Sequence, residues 1–318
     1  MRKRGSARRQ TGKVEGMRRP RRPETAVRPG NAPVCPGASP ARMNPLRLKL
    51  TIAYDGTAYE GWQAQKIGTG VQEKVEAALA KLFPSQPRVH GSSRTDTGVH
   101  ALGMVAHLEI PRAECRMSPR KLVLAINAWL PEDVRVLAAA RVPRSFHARF
   151  DAAGKQYRYF VWNHPAQNPL ARQVAWHVPR PLDLRAMRAA VPGLVGKHDF
   201  QSFAANPGYA RESTVRTLTR CALRRQGPWL TFILEGDGFL YRMCRGIVGT
   251  LVQVGLGKFS AEDVRRMLAR RDRRVAGMTA PAHGLVLWKV RYPRQRREAK
   301  GGPGRSRSGR RSRGPAAG

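Results

Sequence analysis

The run Gly91-Ser92-Ser93-Arg94-Thr95-Asp96-Thr97-Gly98-Val99-His100 puts one carboxylate on a short polar turn, two residues after a guanidinium. A tight polar turn between two strands can project Asp96 into a cleft, where a carboxylate is placed to do chemistry. The plain alternative is that Asp96 only caps its own turn through the backbone, a common role for Asp near Gly. Arg245 stands in an apolar stretch between Met243 and Ile247. A helix that hydrophobic buries this face, so a guanidinium there requires a partner. Tyr157 shares a strand face with Tyr159 and Val161, where it serves either as core packing or as a stacking surface.

The elements that must hold these residues follow from periodicity. Leu46, Leu48, Leu50, Ile52 and Tyr54 alternate with Arg47, Lys49, Thr51 and Ala53, the pattern of a strand with one buried face. Asp55-Gly56 turns the chain, and from Val71 the apolar residues switch to helical spacing through Leu82, with Thr69 as the expected cap and Pro84 as the stop. Residues 88–93 and 103–110 read as strands around the Asp96 turn, and Ser118-Pro119 opens a helix reaching Trp129. Strands are expected at 134–142, 155–162, 215–223, 229–235 and 285–292, and helices at 182–195, 239–254 and, from a Ser260/Asp263 capping box, to Arg270. Hairpin-linked strands flanked by helices predict an α+β fold with a largely antiparallel sheet. Residues 45–150 and 151–293 form two loosely similar halves, with Phe150-Asp151-Ala152-Ala153-Gly154 as the joint.

The Asp96 turn resembles the nucleophile motif of the tRNA pseudouridine synthase A family, Arg-Thr-Asp-(Ala or Ser)-Gly-Val-His, at six of seven positions. The resemblance extends over about 245 residues. It takes in Tyr54-Asp55-Gly56, Tyr59, Gly61-Trp62-Gln63, Gln65 and Val71-Gln72-Glu73. Further along it includes Phe146-His147-Ala148-Arg149-Phe150, Lys155 with Tyr157-Arg158-Tyr159, His198-Asp199-Phe200 with Ser202-Phe203, and Phe239-Leu240 with Met243 and Arg245. It implies the pseudouridine synthase fold, with an RNA-binding cleft between the halves. It also implies isomerisation of uridine to pseudouridine at tRNA positions 38 to 40 in the anticodon stem-loop, through covalent attack by Asp96. On the same resemblance Arg245 pairs with Asp96, Tyr157 stacks on the target base, Arg94 holds the flipped nucleotide and Leu285 touches the base. A homodimer with a tRNA lying across both subunits is expected. Thr97 departs from the family's Ala or Ser, Gly246 from a frequent Asn after the arginine, and Ser93 from a frequent Gly.

Composition points the same way. Of 318 residues 59 are Lys or Arg and 21 Asp or Glu, a formal charge of +38. Residues 1–44 hold 12 basic and 2 acidic side chains and residues 294–318 hold 9 and 1, which leaves a core that is itself strongly basic. Such a surface suits phosphates, so a nucleic acid is the expected partner. Both tails are rich in Arg, Gly, Pro and Ser and are expected to be disordered, with translation starting at Met43 as an alternative to Met1. The four cysteines are scattered, the eight histidines form no close pair at ligand spacing, and no phosphate-cradling Gly-rich loop precedes a helix, so no metal or nucleotide cofactor is implied. His100 and His147 read as structural. With no secretory signal and no apolar run long enough to span a bilayer, a cytoplasmic location without a membrane partner is expected.

Two readings compete with an RNA isomerase. Asp96-Thr97-Gly98 spells the tripeptide of aspartic proteases, but that chemistry needs a second such carboxylate and the chain has one copy. An RNA-binding protein without catalysis fits the charge and the aromatic side chains Trp62, Tyr157 and Tyr159 as well as an enzyme does.

Overall fold

The computed structural model describes residues 45–64, 69–206, 208 and 212–293. The expected disordered tails, the Met43 start and Gln65 fall outside the described residues. In chain order the first part contains β1 (Pro45–Tyr54), α1 (Val71–Ala80), β2 (His90–Gly91), β3 (His100–Pro111), α2 (Pro119–Asn127), β4 (Val134–Val142) and β5 (Gly154–Asn163). There follow β6 (Trp176–Val178), α3 (Leu184–Ala190), β7 (Gly196–Asp199), β8 (Val215–Gln226), β9 (Trp229–Gly236), α4 (Met243–Gly255), α5 (Ala261–Arg270) and β10 (Leu285–Arg291).

The strands form one sheet in the order β4-β1-β3-β10-β5-β9-β8-β7, with β2 on β3 and β6 on β5. Most pairings are antiparallel; β10 runs parallel to β3 and β6 parallel to β5. β10 is the last strand in the sequence yet sits at the centre, where Val286 faces His100 on one side and Arg158 on the other. Gly103 lets β3 and β10 approach this closely, because a Cβ there would stand 2.5 Å from the Trp288 carbonyl oxygen. The alternation in β1 resolves as expected, with Leu46, Leu48, Leu50, Ile52 and Tyr54 buried. Tyr159, Phe232, Ile247 and Leu251 join them in one continuous core cluster. Each such side chain contributes roughly 1.5–3 kcal/mol by leaving water. No helix among the described residues is long and apolar enough to cross a membrane.

Several boundaries differ from the expectation, each for a local reason. Gly70 rather than Thr69 caps α1, since the Glu73 carboxylate accepts the Gly70 amide at 2.6 Å. The strand expected at 88–93 shrinks to β2 because α1 captures the preceding backbone: the Val89 amide donates to Glu76 and its carbonyl accepts from Gln72. β3 begins earlier than expected, at His100, directly after the Asp96 turn. α3 starts only after Asp183, whose side chain accepts the Arg185 and Ala186 amides, and it stops before Pro192, which has no amide to continue it. α4 begins at Met243 and not at Phe239 because Arg242 holds a left-handed φ of 60°, which a right-handed helix cannot contain. The capping boundary at Ser260 and Asp263 stands as expected.

Candidate active site

Asp96 is held by residues from the opening of the chain. The Tyr54 hydroxyl and the Thr95 hydroxyl are 2.8 Å apart, the Gly98 amide donates to the Tyr59 carbonyl at 3.1 Å, and the Val99 amide donates to the Asp96 carbonyl at 3.1 Å. Gly61, at φ +98°, packs its backbone on Thr95 so tightly that a Cβ would lie 2.2 Å from the Thr95 oxygen. The Trp62 ring fills the space over Gly91 in the same way. His100 fixes the far end of the turn: its Nδ1 accepts the Gly56 amide at 3.0 Å and its Nε2 lies 3.0 Å from the His283 carbonyl. The blocks around Tyr54 and Gly61 are therefore the walls of the Asp96 turn.

Opposite the turn, the first turn of α4 brings in Arg245. Its Nη1 donates to Asp96 Oδ2 at 3.0 Å and its Nε to the Ala280 carbonyl at 2.8 Å. The two side chains are 13% and 18% exposed, so the pair is only partly screened by water. The Ala280 carbonyl is itself placed by its neighbours, since the Ala280 amide donates to the Arg245 carbonyl and Tyr159 donates its hydroxyl to Pro281. One guanidinium thus spans the nucleophile candidate and the loop leading into β10. Sequence reasoning gave no sign of Ala280, because a backbone acceptor leaves no mark on residue type.

The pair borders an open cleft of about 740 Å³ lined by Arg94, Asp96, Tyr157, Leu285, Phe239 and Arg242 among others. Tyr157 is 7% exposed, with its ring edge-on to Phe239 at 5.0 Å. Burial, the largest influence, and the nearby Cys244 and Asp96 push the Tyr157 phenol well above its ordinary value, while a hydrogen bond with Ser93 pulls it the other way. The ring is therefore neutral at any physiological pH. Leu285 is buried in β10, in register with Tyr159. Arg94 is exposed on the cleft wall and forms no ion pair among the described residues. The structure thus brings Asp96, Tyr157, Leu285 and Arg94 to one cleft, with Arg245 bonded to Asp96 at its wall. The departing residues have local explanations: Thr97 is exposed to solvent, and Ser93 supplies the hydroxyl beside Tyr157. Gly246 has the Phe203 carbonyl where a side chain would start. His147 takes the Arg149 and Phe150 amides on its Nδ1. No group of three His, Cys, Asp or Glu among the described residues is placed to hold a metal.

Comparison with known proteins identifies the family. The family model described as tRNA pseudouridine synthase matches residues 50–151 and 190–293. A protein named tRNA pseudouridine synthase A from Geobacter sp. (strain M21) is 46% identical over 247 residues, covering 77% of this chain and 98% of its own length. Proteins of the same name from Methylacidiphilum infernorum (isolate V4) and Exiguobacterium sibiricum are each 43% identical, over 77% and 79% of this chain and 95% and 98% of their own lengths. Among solved structures, a chain from the crystal structure of a Cbf5-Nop10-Gar1 complex aligns with 76% of this chain and 48% of its own, at 11% identity and a TM-score of 0.31, a likeness too slight to bear on the chemistry. With a family model spanning both sides of the cleft and relatives matched almost end to end, this chain belongs to the tRNA pseudouridine synthase A family.

Proposed function

We propose that the protein isomerises uridine to pseudouridine at positions 38 to 40 in the anticodon stem-loop of tRNA, with Asp96 forming a covalent intermediate. The observation that carries this reading is the Asp96–Arg245 ion pair at the wall of an open cleft that also holds Tyr157 and Arg94. A stacked base is out of reach of any side chain, so the target nucleotide must leave the helix at a cost of about a few kcal/mol and enter a pocket that meets its face. The neutral Tyr157 ring and Leu285 form such a pocket, and Arg94 has the planar fork that grips a phosphate. The carboxylate attacks the ribose or the base, the bond from N1 of uracil to the sugar breaks, and the freed ring turns and rejoins the same sugar carbon through C5. The C5 proton is lost, N1 gains one, and Asp96 is released. Arg245 orients the carboxylate throughout. Nothing is oxidised or reduced and no cofactor takes part.

The working form in this reading is a cytoplasmic homodimer with a tRNA across both subunits, the halves 45–150 and 151–293 gripping the RNA from either side. Asp96→Asn is the direct test, because it keeps size and polarity but removes the nucleophile. Pseudouridine formation on unmodified tRNA should fall by at least about four orders of magnitude while tRNA affinity stays within about threefold. Wild type that binds tRNA but forms no pseudouridine would instead favour an RNA-binding protein without catalysis.

A further inference from the structure

Beyond Asp96 the cleft carries cations to which the proposed chemistry gives no task. Lys155 lines it from the start of β5, in register with Gly236 of β9 and Val290 of β10. Burial above all, with Arg149 and Arg216 opposing its charge, pushes the Lys155 ammonium down to about 8. Arg149 comes from the loop before β5, and it lines the same cleft. Arg216 comes from β8 and lies along Gly238, next to the cleft-lining Phe239. Among the described residues no carboxylate forms an ion pair with Lys155, Arg149 or Arg216. Arg149 and Lys155 line the cleft without a counter-charge and repel one another. Arg216, whose Nη1 donates to the Ser213 and Val215 carbonyls, adds to the repulsion on Lys155, and the partial burial of Lys155 deepens the penalty. An anion seated among them reverses it.

An aromatic ring adjoins this group. Phe150 is 75% exposed although it lines the cleft, and the Arg149 guanidinium sits 5.7 Å from its ring centre. One side of the ring is backed by His147, stacked at 4.2 Å and 30°. His147 in turn packs edge-on against His107 at 4.6 Å, so the platform is braced from the core. A large apolar ring backed on one face and left in solvent beside cations matches what a nucleotide offers, a flat base and an adjoining phosphate.

We propose that Arg149 and Lys155, with Arg216 adding to the positive field beside them, bind a backbone phosphodiester of the RNA strand next to the reacting nucleotide, and that Phe150 stacks an unpaired base of the same stretch. The proposal rests on RNA occupying the cleft, and it assigns an anchoring subsite separate from Asp96, Arg245 and Tyr157.

The test measures the Kd of an unmodified tRNA transcript across a salt series, together with KM and kcat for pseudouridine formation. Lys155→Met should weaken binding about tenfold at low salt and flatten the slope of log Kd against log salt by about 0.7–0.9, the value for one lost phosphate contact. Arg149→Gln, at an exposed position where folding is not at stake, should do the same, and Lys155→Arg should stay near wild type. Phe150→Ala should weaken binding about tenfold without changing the slope, and Phe150→Tyr should restore it. The losses should fall on Kd and KM rather than on kcat. Unchanged Kd and slope in both Lys155→Met and Arg149→Gln would overturn the subsite, as would equal losses in Lys155→Met and Lys155→Arg. Because binding is read independently of turnover, wild type that makes no pseudouridine defeats the enzymatic reading while the salt slopes still decide this one.

Discussion

Arg245→Lys isolates geometry from charge. The guanidinium makes two directed bonds, 3.0 Å to Asp96 and 2.8 Å to the Ala280 carbonyl, from different nitrogens of one rigid plane. An ammonium keeps the positive charge but concentrates it at one point, so it can satisfy the carboxylate or the carbonyl in good geometry, not both. The variant therefore loses one charge-assisted hydrogen bond in a site only 13% to 18% exposed, worth about 1.5–3 kcal/mol. If that loss appears in orientation of the proposed nucleophile, kcat/KM falls by about 10- to 100-fold. Arg245→Met should be worse, because it leaves Asp96 without its partner in the partly buried site; a further tenfold or more in rate is expected. The assay is pseudouridine formation on unmodified tRNA under single-turnover conditions, with thermal melting to confirm folding. A Lys variant within threefold of wild type would show that charge alone suffices and that the fork to Ala280 has no part in placing Asp96.

Other expectations follow from single contacts. Gly246→Asn, which restores the residue frequent in relatives, should destabilise this chain by about 2–3 kcal/mol, because a Cβ would stand 2.1 Å from the Phe203 carbonyl oxygen; a fall in Tm of roughly 5–10 °C is expected, and an unchanged Tm would show that the Phe203 turn yields freely. His107 is held down to about 4 by burial first and then by His147, His90 and Arg47, so the unfolded chain takes up a proton below pH 6.5 that the native state refuses. The stability due to this site is complete above pH 6.5 and drains away as pH falls towards 4. Urea midpoints at pH 7.5 and 5 should therefore differ less for His107→Gln than for wild type, and equal differences would remove His107 from the account.

Much of the site was legible because local pattern and motif order coincide. The Asp96 turn announced itself by a Gly-bounded polar run between apolar strands, and Arg245 by a charge in an apolar helix. What joins them is not local: the two residues are 149 positions apart, and only the meeting of the first turn of α4 with the Asp96 turn and the Ala280 loop makes a pair of two oddities. The grouping of Lys155 with Arg216 was hidden for a related reason. It depends on β5 and β8 flanking β9, and strand order cannot be read from alternation within any one strand. The helix ends that moved, at Asp183 and Arg242, were set by a side-chain cap and by one left-handed backbone angle, neither of which periodicity detects.

The central position of β10 has a consequence for how the protein is made. During synthesis Asp96 leaves the ribosome roughly 10–40 s before Leu285, at about 5–20 residues per second. Through the later part of that interval the strand His100–Pro111 and the strand Gly154–Asn163 each lack the neighbour that later lies between them. A nascent chain stalled before residue 285 therefore carries two unpaired strand edges, the kind that recruit chaperones or other nascent chains. It also lacks Leu285, so under the function proposed above its cleft is incomplete and a truncated product would not act on the transfer RNAs that crowd the translating ribosome. Completion of one strand would switch on both solubility and chemistry, and a C-terminal deletion reaching into Leu285–Arg291 should be lost to aggregation before it is ever assayed for activity.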